Sequence, residues 1–234
     1  MSNSKCLPKD KWKIALAEEQ NCGKTRDAAL KLYNEWGNEF DVTMREWGTN
    51  IYAETCSILM ECIVWEQITG SHMRVLDLGC GSGLLAESIR KEEMSRIFCC
   101  VPSINIIGVD ISTEMLKVAV QKSVYDECIL NDIQSSLTAF ADASFDVICA
   151  IMVLGYVDFH KFYEESRRVT KDSGFIIFTC YENSPNLDFI AEEHELGNIR
   201  LIKVTEPASV YPNNPEYVKK LSCICAAQIC KSSR

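Results

Sequence analysis

The stretch Val75-Leu76-Asp77-Leu78-Gly79-Cys80-Gly81-Ser82-Gly83-Leu84 constrains the fold more than any other part of this chain. An apolar run meets three glycines at alternate positions and passes directly into a helix-forming segment. Glycine tolerates positive φ and close backbone approach, and the N–H groups of a helix's first turn then face whatever sits at the loop. Such a unit needs neighbouring strands and a covering layer. From Met73 onward, short apolar segments alternate with amphipathic ones. Strands are expected at Arg74–Leu78, Asn105–Asp110, Glu127–Leu130, Phe145–Ile151 and Gly174–Tyr181. Helices fit between them at Leu84–Met94, Thr113–Lys122, Ser135–Phe140 and Phe159–Val169. Strands this apolar, alternating with helices, imply a parallel sheet covered on both faces. A helix at Leu187–Leu196 and two strands, Arg200–Thr205 and Ser222–Lys231, complete the pattern, the last two reading as an antiparallel hairpin at the sheet edge.

Residues 1–71 read as helical. Thr25 is placed to cap a helix running to Gly37, with Ala28, Ala29, Leu32, Tyr33 and Trp36 on one side. A second helix, Asn50 to Gln67, repeats Ile51, Ile58, Leu59, Cys62 and Ile63 at helical spacing. The expected organisation is a helical cap or lid over residues 1–71 and an α/β domain over 72–234, forming one compact unit.

Composition narrows the function. The 234 residues carry 24 Lys and Arg against 33 Asp and Glu, a net charge of -9. No basic cluster exceeds a pair, which counts against a nucleic-acid partner. The 13 cysteines form no Cys-x-x-Cys, and with only three histidines they argue for no metal site. Cys56, Cys62, Cys128, Cys149 and Cys180 lie in apolar segments and read as reduced, buried thiols. No apolar run approaches the ~18 residues of a membrane helix, and the polar segment Met1–Lys13 lacks a hydrophobic signal region. The expectation is a soluble, cytoplasmic protein without membrane attachment.

The acids around the glycines discriminate between ligands. Gly81-x-Gly83-x-x-Ala86 satisfies the dinucleotide pattern, so an NAD-dependent oxidoreductase is one reading. Asp77, however, would repel a pyrophosphate at the loop. S-adenosylmethionine (SAM) brings an ammonium and a sulfonium, which a carboxylate favours by about 4 kcal/mol at 4 Å and an effective dielectric of ~20. Asp110 ends the second strand in Gly108-Val109-Asp110-Ile111-Ser112, where a carboxylate can accept from both ribose hydroxyls. Asp132 ends the third strand, placed to receive an adenine amino group while the Ile133 N–H reaches a ring nitrogen. Met115, one turn into its helix, packs either against adenine or into the core.

These residues resemble those of the class I SAM-dependent methyltransferases. Asp77-x-Gly79-x-Gly81-x-Gly83 is similar to that family's first motif, Asp110 to its ribose acid and Asp132 to its adenine acid. Phe145-Asp146-Val147-Ile148-Cys149-Ala150, followed by Ile151, is similar to its fourth strand. The likeness covers about Arg74 to Tyr181. It implies a doubly wound, seven-stranded Rossmann-like sheet with a reversed edge strand. It also implies SAM as cofactor, with S-adenosylhomocysteine as product, held by Asp77, Gly79, Cys80, Gly81, Gly83, Asp110, Ile111, Met115, Asp132, Ile133, Ala150 and Ile151. The interval from Gly83 to Asp110 exceeds the ~20 residues usual in such units, and Cys99-Cys100-Val101-Pro102 reads as an inserted loop. Tyr33-x-x-Trp36-x-x-x-Phe40-Asp41 resembles the segment opening the methyltransferase-like protein 27 group, with Gly37 and Phe40 in place of its alanine and second tyrosine. As lid residues, Tyr33 and Trp36 would exclude water from the cofactor; as core residues they would merely bury the cap.

Methyl transfer from a sulfonium needs alignment and desolvation more than a dedicated base. The catalytic residue is therefore left unassigned, with His160, Tyr156 and Asp158 as the positions to test. Ile151-Met152-Val153-Leu154 lacks the Asn/Asp-Pro-Pro-aromatic box of planar-amine methylases, which disfavours adenine-N6 and glutamine acceptors; the leading expectation is a small-molecule methyl acceptor. A basic protein tail stays open as a substrate, since an acidic surface attracts it. The expected state is a monomer or weak dimer. A catalytically silent SAM-binding subunit supporting a partner protein is the alternative outside enzymology.

Overall fold

Alternation of buried side chains along each strand produces a sheet with two apolar faces, and the helices cover both. The computed structural model describes residues 26–65, 72–95, 103–135 and 137–231. Helix α1 (Arg26–Trp36), a 3-10 turn (Gly37–Glu39), α2 (Phe40–Glu46) and α3 (Ile51–Trp65) precede β1 (His72–Leu78). There follow α4 (Leu84–Ser95), β2 (Ser103–Asp110), α5 (Thr113–Lys122), β3 (Glu127–Leu130), β4 (Phe145–Ala150) and a 3-10 turn (Leu154–Tyr156). The chain closes with α6 (Phe159–Val169), β5 (Thr170–Tyr181), α7 (Pro185–Glu195), β6 (Ile199–Val204), β7 (Ala208–Ser209) and β8 (Leu221–Ile229). The expected Thr25 cap, the end of the second helix at Gln67 and the Cys99–Pro102 insertion lie outside the described residues.

The sheet order is β3-β2-β1-β4-β5-β8-β6, with the two-residue β7 pairing β8. Strands β1 to β5 are mutually parallel, and β8 runs antiparallel to both β5 and β6. The register sets Asp77 beside Gly108 and Asp110 beside Leu130, so the carboxyl ends of β1, β2 and β3 finish at one rim. The order reverses between β1 and β4, where open α/β sheets hold ligands.

One core face joins Val75, Ile106, Val147 and Phe175 to Leu59 and Ile63 of α3 and to Ile89 of α4. The other joins Leu76, Val109, Ile148 and Phe178 to Phe162 and Tyr163 of α6. A third cluster, Leu32, Trp36, Phe40 and Met44 with Met115 and Tyr217, lies where α1 and α2 meet α5. The unforeseen α2 thus belongs to the layer that carries Tyr33 and Trp36.

Three expectations are corrected. The reversed strand is last in sequence but second from the edge: β8 slots between β5 and β6. It is buried at nearly every position, whereas β6 is mostly half-buried or exposed, so β8 takes the two-sided place and β6 the edge. With β7 included, the sheet has eight strands among the described residues rather than seven. The expected helix at Ser135–Phe140 is not found among the described residues: the Ser135 N–H bonds the Asp132 carbonyl and the Phe140 N–H the Leu137 carbonyl, each closing a turn. Arg168 donates to the carbonyls of Leu137 and Phe140, at 3.1 and 3.0 Å, and Glu165 accepts from the Leu137 N–H at 2.7 Å. With backbone groups satisfied by α6, Leu137 and Phe140 bury their side chains without a helical repeat.

Candidate functional site

The carboxyl ends of β1, β2 and β3 open into a cavity roofed by α1, α2 and the start of α3. Its floor is the glycine loop. Gly79, Gly81 and Gly83 adopt φ values of +73°, +52° and +89°. At Gly79 a Cβ would stand 2.5 Å from Val153 Cγ2, whereas at Gly81 it would meet nothing within 4 Å. The first glycine is required by packing, and the second keeps its space open for a ligand. Gly83 does not line the cavity; it lets Tyr125 and Val124 pack against the loop.

Asp77 lines the floor, is 2% exposed, and accepts a 2.7 Å hydrogen bond from Tyr125 Oη. Among the described residues it makes no ion pair. Burial pushes its carboxyl up to about 7; the Tyr125 hydrogen bond opposes the shift and the nearby Asp110 charge adds to it. Asp110 accepts from the Gly81 and Ser112 N–H groups, each at 2.8 Å, tying the loop to the end of β2. Burial raises its carboxyl too, against those hydrogen bonds. Asp132 also lines the cavity, but Arg26 Nε donates to its Oδ2 and the Gln134 N–H to its Oδ1 at 2.9 Å. Three carboxylates therefore surround one cavity, and the nearest cation enters from the cap.

Cys80, Ile111, Ile133 and Ile151 line the cavity, as expected. Burial, with Asp77 and Asp110 nearby, holds the Cys80 thiol protonated. Met115 lines the cavity and belongs to the core cluster that holds Trp36. Ala150 is not at the cavity wall; it is wholly buried in the core face beneath α6. In the cap, Tyr33 and Trp36 face the cavity with rings stacked at 6.0 Å, and Phe40 meets Trp36 edge-on at 4.9 Å. Trp36 is 1% exposed, packed in the core cluster with Phe40 and Met115, and also lines the cavity.

The three positions to test separate. Tyr156 lines the cavity, and Tyr33 Oη stands 3.4 Å from its hydroxyl. Asp158 is the N-cap of α6, accepting from the His160 and Lys161 N–H groups. His160 is exposed, its ring edge-on to Phe189 at 4.7 Å. Neither Asp158 nor His160 lines the cavity; both border an adjoining hollow that Tyr156 shares.

Several residues escaped the sequence reading. Ser82 donates to Asp41 of α2, and Lys122 of α5 pairs with the same carboxylate. Ser112 donates to Asn34 of α1 at 2.7 Å. These bonds fasten the cap to the glycine loop and to the start of α5. Tyr125 follows no motif, and only its place between α5 and β3 could have drawn attention to it. Asp41, Asn34 and Arg26 look like ordinary polar helix residues.

Comparison with known proteins agrees with this geometry. Residues 76–178 match the methyltransferase domain family. The chain is 26% identical over 156 residues to demethylmenaquinone methyltransferase of Thermotoga maritima, covering 66% of this chain and 62% of that protein. It is 31% identical over 145 residues to ubiquinone biosynthesis O-methyltransferase of Vibrio cholerae, covering 60% and 54%. The chain thus spans less than two thirds of either relative. Among solved structures it is similar to a protein in complex with a methyltransferase activator of Haloferax volcanii, with a TM-score of 0.55, 15% identity and coverage of 85% and 98%. It is also similar to the [4+2]-cyclase SpnF, with a TM-score of 0.52, 15% identity and coverage of 68% and 76%. The chain has the Rossmann-like fold of class I SAM-dependent methyltransferases, and residues 76–178 resemble their methyltransferase domain. No helix among the described residues is long and apolar enough to cross a membrane.

Proposed function

We propose that this chain is a SAM-dependent methyltransferase acting on a small molecule. The observation that carries the reading is the placing of Asp77, Asp110 and Asp132 at three successive strand ends around one roofed cavity. Asp77 is a buried carboxylate with no ion-pair partner among the described residues, which suits an ammonium-bearing ligand and disfavours a pyrophosphate. In this reading Asp110 takes the ribose hydroxyls, and Asp132 with the Ile133 N–H takes the adenine edge. Gly81 admits the ligand backbone-close. The likeness to a cyclase shows that the fold by itself does not choose the chemistry; the acids do.

SAM supplies an electrophilic methyl: the acceptor's lone pair forms the new bond while the carbon–sulfur pair stays with sulfur, leaving S-adenosylhomocysteine. The chain's part is alignment and dryness. Tyr33, Trp36 and Phe40 exclude water, and Tyr156 stands between the cavity and the adjoining hollow to steer the acceptor. The aromatic roof supports a small acceptor over a protein tail, and the relatives named for quinone precursors accord with that. The cap and α/β domain act as one unit, cytoplasmic and monomeric or weakly dimeric. The cavity-facing Tyr33 and Trp36 support kinship with the methyltransferase-like protein 27 group.

Calorimetric titration with SAM, S-adenosylhomocysteine and NAD tests the reading. Binding of the adenosyl ligands alone is expected, weakened by about 1.5–3 kcal/mol in Asp110→Ala through loss of charged hydrogen bonds. Binding of NAD, or of none of the three, would overturn it.

A further inference from the structure

The tail of SAM is an amino acid, so its ammonium and a carboxylate sit on the same carbon. The acids of the cavity account for the ammonium and leave the carboxylate to be held. Among the described residues lining the cavity, Arg26 is the one basic side chain, and it is already paired with Asp132. The carboxylate therefore falls to a neutral donor.

Tyr52, the second residue of α3, lines the cavity. Its ring packs against the core face that carries Val75, Ile151 and Phe175, which anchors it at the cavity wall. Other hydroxyls on the lining are committed within the protein. Ser82 donates to Asp41, Tyr33 stands 3.4 Å from the Tyr156 hydroxyl, and Thr49 donates to Met44 Sδ at 3.8 Å. The Tyr52 hydroxyl has no hydrogen-bond partner among the described residues. Two carboxylates are close enough for their charge to reach the phenol, yet both are supplied from elsewhere. Asp77 accepts from Tyr125 at 2.7 Å, and Asp41 from Ser82 and Lys122. Burial and those two charges raise the phenol's pKa, so Tyr52 stays protonated and remains a donor. A tyrosine hydroxyl withdrawn from water usually finds a partner. Here the cavity, not the protein, has to provide it.

We propose that Tyr52 is a cofactor-binding residue whose hydroxyl donates to the carboxylate of the SAM amino-acid tail, while Asp77 balances the ammonium on the same carbon. The assignment rests on the methyl-transfer reading above. Lys122 neutralises Asp41, so the arriving carboxylate meets one uncompensated acid, and the ligand carries the ammonium that compensates it. A hydrogen bond to an ionised acceptor is among the stronger ones a neutral side chain can make.

The test titrates the full chain and its Tyr52→Phe variant by calorimetry with three ligands. S-adenosylhomocysteine has the whole tail, its decarboxylated form keeps only the ammonium, and 5′-methylthioadenosine has neither charge. The parent protein is expected to bind S-adenosylhomocysteine more tightly than the decarboxylated form. Tyr52→Phe, which keeps the packed ring and is expected to keep the parent Tm, should weaken S-adenosylhomocysteine about ten- to a hundred-fold. The other two ligands should change by less than about two-fold. Equal parent affinities for S-adenosylhomocysteine and its decarboxylated form would overturn the assignment without recourse to any variant. So would a loss shared by all three ligands, which is what a merely structural role produces, or an unchanged affinity for S-adenosylhomocysteine. Those results leave the methyl-transfer reading standing, because the parent still binds the adenosyl ligands. A parent protein that binds none of the three overturns both.

Discussion

Tyr125 donates its phenolic hydrogen to Asp77 Oδ2 across 2.7 Å, beneath the glycine loop. The bond fixes the direction of the one cavity carboxylate that lies almost wholly out of water, and it does so with a neutral donor. The charge on Asp77 is therefore left for a ligand to balance, at a cost to the empty protein.

That cost sets a pH dependence. Asp77 ionises near 7 in the fold against 3.8 for an ordinary aspartate, so between those values the folded chain holds a proton the unfolded chain has lost. Stability of the ligand-free protein should fall as pH rises from about 4 to about 7, by at most about 4 kcal/mol. Asp77→Asn is expected to raise the ligand-free Tm at pH 8 while weakening SAM at least about ten-fold, since one charge pair is lost. Scanning calorimetry with and without SAM checks both; a lower Tm at pH 8 would count against the account.

Gly79 and Gly81 should respond differently to the same substitution. Gly79→Ala drives a Cβ against Val153 and also strains a positive φ, so a stability loss of about 3 kcal/mol or more is expected. Gly81→Ala meets no atom, and its left-handed backbone alone costs about 1–2 kcal/mol. The new methyl at Gly81 enters the cavity, so ligand binding should suffer far more than folding. Urea unfolding paired with titration of S-adenosylhomocysteine separates the two effects; equal stability losses would show that Val153 moves aside.

Asp41 joins the cap to the glycine loop through Ser82 and Lys122. Ser82 is buried, and Asp41 and Lys122 are only 16% and 20% exposed, so removing the carboxylate leaves two poorly solvated donors. Asp41→Ala is expected to lower stability by about 1.5–3 kcal/mol. Amide exchange should quicken in α2 and in the glycine loop together. Faster exchange in α2 alone would mean that the network does not couple them.

Arg26 and Asp132 form an exposed pair, which salt screens and which contributes little to folding. Arg26→Gln is expected to leave Tm unchanged. It should nevertheless speed S-adenosylhomocysteine dissociation, because the first turn of α1 is held over Asp132 at the cavity by this contact. Stopped-flow displacement at low and high salt measures it: the variant's off-rate should match that of the parent protein at high salt. An off-rate indifferent to both mutation and salt would remove the latch.

The glycine loop and its acids were legible because their constraints are local. A strand that must turn through three positive φ values and open a helix declares itself in about ten residues, and Asp110 and Asp132 follow at strand ends that periodicity locates. The boundaries of β3, α5 and α6 are read correctly for the same reason. Residues 135–140 mislead because their apolar spacing is helical while their hydrogen bonds come from Glu165 and Arg168, many residues away. Ala150 misleads because one step along a strand exchanges the rim for the core.

Sequence alone thus determined the alternation of strand and helix, the glycine floor and the ring of acids, all of which depend on neighbours in the chain. Tertiary structure decided where β8 inserts, that Tyr125 rather than a cation meets Asp77, and that Asp41, Asn34 and Arg26 clamp an aromatic roof over the cavity. The physical reason is range: propensity and periodicity act over a few residues. Burial, charge balance and hydrogen-bond satisfaction are settled between segments that only the folded chain brings together.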